Sequence, residues 1–508
     1  MIARTRFERV KWGMLKIISS SFIVSLALAT AVAASPPGPI RPLAPKAMLS
    51  YTNGSDVVSG PAIVQADMIA ALKSVEAHGL NPADYHLDAL TNYGTDGDMA
   101  IYAVDAWMSA ASHIAFGKLS PKSVEPDWTA KGREANLSAH LREALANGTL
   151  VSSLDRLAPQ HMAYQSLTTE LAGRLAGTVD DLPVVPSGVT LKSGMTGPRV
   201  TLLQTRLDLE ATGTFDEETV AAVKTFQTAN DLDDDGAVGP ATLRVLNRNR
   251  THELDQLRVN LERWRWLPDD LGQKHVRVNI ADFSVQAWQN GQIDRVHGAI
   301  VGKTYRKTPI FSDVIEYVVI NPWWETPYSL ASRDKLPLFK RDPSAVQRLG
   351  FQVLDQAGTP VDATTIDWTS IPAGTMPYRL RQSPGPVNAL GQVKIMFPNV
   401  HNVYLHDTPD RGLFAQRQRA FSSGCIRTQN PLELTAWLLS DKDGWDRARI
   451  DQAVESKRET RVDLVTKTPV HVLYMTAVSD AAGVRFLDDI YERDTAILTG
   501  LNRKANSR

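Results

Sequence analysis

The hydrophobic period of this chain changes at about residue 276, and that change divides what the chain can fold into. Before it, apolar residues recur at the three- and four-residue spacing of helix faces, at 66–72, 103–115, 136–146 and 162–175. After it, Val276-Arg277-Val278-Asn279-Ile280 and Ser284-Val285-Gln286-Ala287-Trp288 alternate with a period of two, and Gln289-Asn290-Gly291-Gln292 carries a hairpin signal. Further strands are expected at 296–301, 315–320, 391–396 and 402–406, a helix at 431–439, and closing strands at 462–465, 470–478 and 484–486. The fold class is therefore multidomain α+β, helical in its N-terminal half and mainly β in its C-terminal half.

Punctuation supplies the boundaries. Arg4, Arg6, Arg9, Lys11 and Lys16 precede an apolar run from Ile17 to Ala29 and then Ala31-Val32-Ala33-Ala34, the plan of a secretory signal peptide over 1–34. An uncleaved anchor is the alternative, because that run approaches the length of a bilayer. A proline-rich tether follows at 35–49, then a helical domain at 50–180 and a proline-containing linker at 179–187. A compact module at 188–248 shows three apolar stripes: Val200, Leu203 and Leu207; Val220, Val223 and Phe226; Leu243 and Leu246. The β domain is assigned to 252–500, entered through a helix striped by Leu254, Leu257, Leu261 and Trp264, and the tail at 501–508 is expected to be disordered. Trp264 and Trp266 read as packing residues rather than a sugar platform.

Cys425 is the single cysteine of 508 residues. In an exported chain an unpaired cysteine points to a reactive thiol more than to a structural one. It stands in Phe421-Ser422-Ser423-Gly424-Cys425-Ile426-Arg427, a polar turn whose glycine allows a tight bend. His406 lies 19 positions earlier, at the end of Asn402-Val403-Tyr404-Leu405-His406. Read as a strand, that stretch puts Tyr404 and His406 on one face and Val403 and Leu405 on the other. A free thiol of pKa about 8.5 needs a base of this kind to become a nucleophile. Main-chain N–H groups of Gly424 and Cys425 are expected to face a developing oxyanion. Asp407 orients the imidazole by its carboxylate or its carbonyl.

His406 together with Ser422-Ser423-Gly424-Cys425-Ile426-Arg427 resembles the active-site signature of the bacterial L,D-transpeptidases, which commonly read Ser/Thr-His-Gly-Cys, an apolar residue, then Asn or Arg. Ser423 stands in the histidine position here, as in the family's large scaffold-domain branch. The 50–180 region is similar to that branch's helical scaffold. Gly213-x-Phe215, Phe226-Gln227 and Gly236-x-Val238-Gly239-Pro240 resemble the three-helix peptidoglycan-binding module.

The resemblance implies a sandwich-like catalytic domain with a capping insertion at about 321–377. It implies formation of 3→3 cross-links from tetrapeptide stems through a cysteinyl thioester, in the periplasm, with susceptibility to carbapenems. Substrate contacts are expected from Tyr404, Arg427, Ser422, Ser423, Trp323, Trp324 and Tyr328, and Arg427 either pairs with a substrate carboxylate or braces the loop. An L,D-carboxypeptidase, a cysteine peptidase and a non-catalytic wall-binding protein are the competing readings. Partners are stem peptides and the sacculus, with other wall-synthesis enzymes as further candidates and the membrane reached only through an uncleaved signal segment.

A net charge of −1, with no basic stripe, gives no reason to expect nucleic acid. No cofactor or metal is required by thiol chemistry. Asp231-x-Asp233-x-Asp235-Gly236 imitates half a calcium loop, but Thr242 falls where a bidentate glutamate belongs, so it reads as an acidic turn.

Overall fold

The computed structural model describes residues 63–92, 99–177, 182–230, 232–248, 250–481 and 483–504. The expected leader at 1–34, the tether at 35–49 and the last four residues lie outside them. No helix among the described residues is long and apolar enough to cross a membrane.

The N-terminal region packs helices Gln65–Ser74, Met99–Phe116, Leu137–Ala146 and Met162–Ala176 around Met68, Leu72, Trp107, Leu141, Tyr164 and Leu167. Asn136 starts one of them as its side chain accepts from the Ala139 amide, a polar cap for an otherwise orphaned donor. Helix Arg250–Arg265 lies between this region and the β domain, and its apolar positions enter one core continuous with the strands. Trp264 packs on His161 and Trp266 meets Trp128 edge to face, so both tryptophans are interior residues. Polar ties cross the same seam: Asn260 exchanges bonds of 2.8 and 2.9 Å with Thr476, and Arg263 pairs with Asp494.

The β domain is built from β1 (Lys274–Asn279), β2 (Ser284–Gln289), β3 (Gln292–Gly302), β4 (Phe311–Ile320), β9 (Val393–Met396), β10 (Leu405–His406), β11 (Ala420–Ser422), β12 (Ile426–Thr428) and β13 (Thr460–Leu473). Their order is β3-β12-β10-β9-β4-β13-β1-β2, and β2 pairs with β3 again, so the sheet closes; β11 joins β3 beyond the end of β2. The length of β3 makes closure possible, since its first half pairs with β2 and Ala299 and Ile300 pair with β12. Closure leaves no open edge on the eight strands of the ring, and β11 keeps its outer edge.

Between β4 and β9 the chain forms an insertion with β5 (Trp324–Glu325), β6 (Phe351–Leu354), β7 (Pro360–Val361) and β8 (Arg379–Gln382), ordered β5-β8-β6-β7 around its own core of Trp324, Leu336, Phe339, Val353, Trp368 and Leu380. The expected end at 377 falls short, because β8 and Leu390 belong to this unit.

Three other expectations are corrected. The strands at 462–465 and 470–478 are mainly one 14-residue strand, β13, bulged between Asp463 and Thr468. The hairpin β14 (Ala477–Asp480) and β15 (Gly483–Phe486) is a separate sheet that leans on helix Met162–Ala176. The start of the expected tail is held: helix Asp494–Leu501 buries Leu501, and Lys118 donates to the carbonyls of Leu501 and Arg503.

Helices Pro198–Arg206, Glu217–Ala229 and Pro240–Leu246 form a small module with its own core of Val200, Leu203, Phe215, Val223 and Val238. It contains a repeat with an offset of 23 residues. Gln204 donates to Thr212, Thr214 O and Thr219 and accepts from the Gly213 amide; Gln227 does the same with Asp235, Ala237 O, Thr242 and the Gly236 amide. The acidic turn is thus the second copy of a turn, and Asp235 occupies the place Thr212 holds in the first.

Burial leaves several histidines neutral. Desolvation, with the charges of Lys118 and Arg265, pushes His113 down to about 3; desolvation first, then mainly Arg277, pushes His275 to about 4; desolvation also takes His471 to about 4. An unfolded histidine titrates near 6.5. Between roughly pH 6.5 and pH 4 the unfolded chain therefore binds more protons than the native one, and stability falls as pH falls. The Tm is expected to drop by several degrees from pH 7 to pH 5, and a flat Tm across that range would contradict this burial.

Candidate active site

Parallel pairing of β10 with β12 organises the site. Leu405 is level with Ile426 and His406 with Arg427. Leu405 and Ile426 are fully buried on the inner face, each contributing on the order of 1.5–3 kcal/mol. Alternation then turns Tyr404 and His406, Cys425 and Arg427, to the other face. Antiparallel β9 adds Lys394, level with His406. The regular strand is shorter than the sequence suggests: only Leu405 and His406 pair, and Asn402 is left-handed at φ 52°.

His406 is buried, and its Nδ1–H donates to the main-chain carbonyl of Asp407 at 2.5 Å. That contact fixes the tautomer with the lone pair on Nε2. Asp407 thus orients the ring through its carbonyl, while its carboxylate accepts from the Gln392 amide at 2.9 Å and from Arg411 at 3.2 Å. Gly391, at φ 58°, lies against this carboxylate, where a Cβ would come within 2.4 Å of it. Desolvation, then the charges of Arg427 and Lys394, hold His406 down to about 3 against the pull of the Asp407 carbonyl. The resting imidazole is neutral.

Cys425 is half-buried immediately before β12. Its thiol donates to Asn402 O at 3.6 Å, and Tyr404 lies beside the sulfur. Burial pushes the thiol above its ordinary value, opposed by Tyr404 and the charges of Lys394 and Arg427. The resting groups are therefore a neutral thiol and a neutral imidazole. The Tyr404 ring meets His406 edge to face at 5.5 Å.

The loop that carries Cys425 is stapled by its own serine. Ser422 Oγ donates to Cys425 O at 2.5 Å and accepts from the Gly424 amide at 3.1 Å, and Thr308 Oγ1 donates to Gly424 O at 2.9 Å. Of the two amides expected at the oxyanion site, that of Gly424 is already engaged, which leaves the Cys425 amide. Gly424 serves conformation instead, at φ 122°, where side chains are strained. Ser422 is buried and faces the loop rather than a ligand. Ser423 is exposed and accepts from Arg306 at 3.1 Å, and Arg306 also pairs with Asp334 of the insertion.

The remaining sequence candidates divide. Arg427 pairs with Asp410, in the loop after β10, at 3.1 Å. Trp324 is part of the insertion's core, and Tyr404 packs against that core, which brings the insertion to the site. Trp323 is half-buried with Arg381 stacked on it at 4.6 Å, and Tyr328 is exposed. Lys394, Lys335, Asn402 and Thr308 were not visible as site residues in the sequence. For Lys394 the one available signal is the alternation of Val393 and Ile395 around it.

Residues 273–472 match the L,D-transpeptidase catalytic domain, 60–171 the scaffold domain and 196–246 a family described as "Putative peptidoglycan binding domain". The chain therefore carries an L,D-transpeptidase catalytic domain preceded by scaffold and peptidoglycan-binding domains. It is similar to a "Putative L,D-transpeptidase" of Haemophilus influenzae, 36% identical over 242 residues, 48% of each chain. The chain thus spans about half the length of that curated relative. Among solved structures, an L,D-transpeptidase from Stackebrandtia nassauensis is 14% identical, covering 57% of this chain and 96% of that one, at a TM-score of 0.20. One from Xylanimonas cellulosilytica is 17% identical, covering 57% and 99%, at a TM-score of 0.19.

Proposed function

We propose that this chain is a cell-wall L,D-transpeptidase that makes 3→3 cross-links through a thioester on Cys425, outside the cytoplasm. The observation that carries the reading is the register of β10 and β12, which sets a neutral, tautomer-fixed imidazole diagonally beside the chain's single thiol. The family's peptidoglycan-acting domains support the substrate class.

In this reading Cys425 attacks the carbonyl that links the L-centre of a stem diamino acid to a terminal D-alanine, and its proton passes to His406 Nε2. The oxyanion is met by the Cys425 amide. Collapse breaks the peptide bond, and the D-alanine amine leaves with the proton from His406. An amine of a second stem then attacks the thioester, gives its proton to His406, and restores the thiol as the new amide forms. Incubating the full chain with disaccharide-tetrapeptide should yield a dimer one D-alanine lighter than two monomers, with equimolar free D-alanine by mass. Release of D-alanine without dimer would make the protein a carboxypeptidase. Release of neither would remove the reading.

A further inference from the structure

Lys394 and Arg427 act on the thiol, Arg306 and Lys335 stand at the edge of its loop and of the insertion, and the four cations are not equivalent. Arg427 is held by Asp410, and Arg306 by Asp334. Lys335, on the insertion's irregular turn Ala331–Lys335, lays its ammonium over Trp324 and Phe351 at 6.0 and 5.4 Å, with the charges of Asp334 and Asp410 nearby. Lys394 has no ion pair among the described residues. Its ammonium rests 4.0 Å over the face of Tyr404, close enough to Cys425 for the two groups to act on each other's charge. The carboxylate that acts on it from another element is Glu459, which already accepts from the Trp323 amide at 2.8 Å.

A half-buried lysine without a carboxylate is costly to keep charged, and a cation–π contact of about 0.5–2 kcal/mol only partly offsets that. Such a group is suited to an anion that arrives with the ligand. It lies one aromatic ring from the nucleophile. A peptide that continues one residue past the attacked carbonyl, at about 3.5 Å per residue, would end its chain beside it.

We propose that Lys394 binds the free α-carboxylate of the donor's last residue, and so makes the site read a chain end one residue beyond the bond it breaks. The inference rests on the transpeptidase reading above and adds to it a residue and a rule of selection. A donor extended by a further residue, or blocked as its amide, would bring no charge to Lys394.

The test compares a stem tetrapeptide ending in a free carboxylate with the same peptide ending in a carboxamide, using D-alanine or D-alaninamide release by the full chain. A charge-assisted hydrogen bond predicts that wild type prefers the acid by about 10- to 100-fold in kcat/KM. Lys394→Met should collapse that ratio toward one, and Lys394→Arg should restore most of it. A ratio unchanged in Lys394→Met, whatever happens to the absolute rates, overturns the assignment. So does a wild type that turns over both donors equally well. A wild type that releases neither product overturns the transpeptidase reading itself, and is thereby distinct from failure of this one.

Discussion

Replacing Cys425 by alanine is expected to lower D-alanine release and dimer formation by about ten-thousand-fold or more, because no other thiol exists in the chain to form the acyl-enzyme. The Tm should stay within about 2 °C of wild type, since the sulfur is half-buried and its bond to Asn402 is that of a weak donor. Mass analysis of the acylated protein supplies a second readout: wild type should gain the mass of the donor acyl group on the peptide that holds Cys425, and the variant should not. Cross-linking that persists near the wild-type rate in Cys425→Ala would end the thioester mechanism.

Removing the base should produce the next largest effect. Acylation of Cys425 by a carbapenem, followed by mass, is expected to slow by about 100-fold in His406→Ala near pH 7. An unassisted thiol of ordinary pKa is only a few per cent ionised there, and burial pushes this one higher. The sign of the pH dependence follows from the same fact. Raising the pH toward about 9 to 10 increases the thiolate fraction without a base, so the variant should regain much of its lost rate, while wild type changes less. Equal rates for variant and wild type near neutrality would remove His406 from the role. His401 is no substitute, because it packs on Phe311 at 5.0 Å and lies 3.9 Å from Asp127, away from the sulfur.

The parts of this molecule that were legible in the sequence are those written in short-range patterns. The change of period at 276 is visible because helix and strand impose different spacings on the same apolar residues. Tyr404 and His406 could be put on one face because alternation survives even where the strand hydrogen bonds do not. What was illegible depends on partners far apart in the chain. Lys394 acquires meaning only through the pairing of β9 with β10, and the engagement of the Gly424 amide depends on a rotamer of Ser422. Val470 to Val478 looked like one strand because apolar residues run through the corner at Leu473 without a break. The repeat in the wall-binding module was within reach, since Leu203-Gln204-Thr205 and Phe226-Gln227-Thr228 stand 23 residues apart.

The shared core of the helical region and the closed sheet sets how this protein comes apart. Leu257, Leu261 and Trp264 of helix Arg250–Arg265 pack in the same apolar cluster as Val278, Ile315 and Val472, and the polar ties of Asn260 and Arg263 seal it. The two regions should exchange their slowest amide protons at a common rate, as one cooperative unit. The three-helix module, with a core of its own, is free to open earlier. A chain cut at the edge of the matched catalytic segment, near residue 273, would carry every residue of the chemistry and expose half of an interior. Such a fragment would be expected to aggregate rather than work.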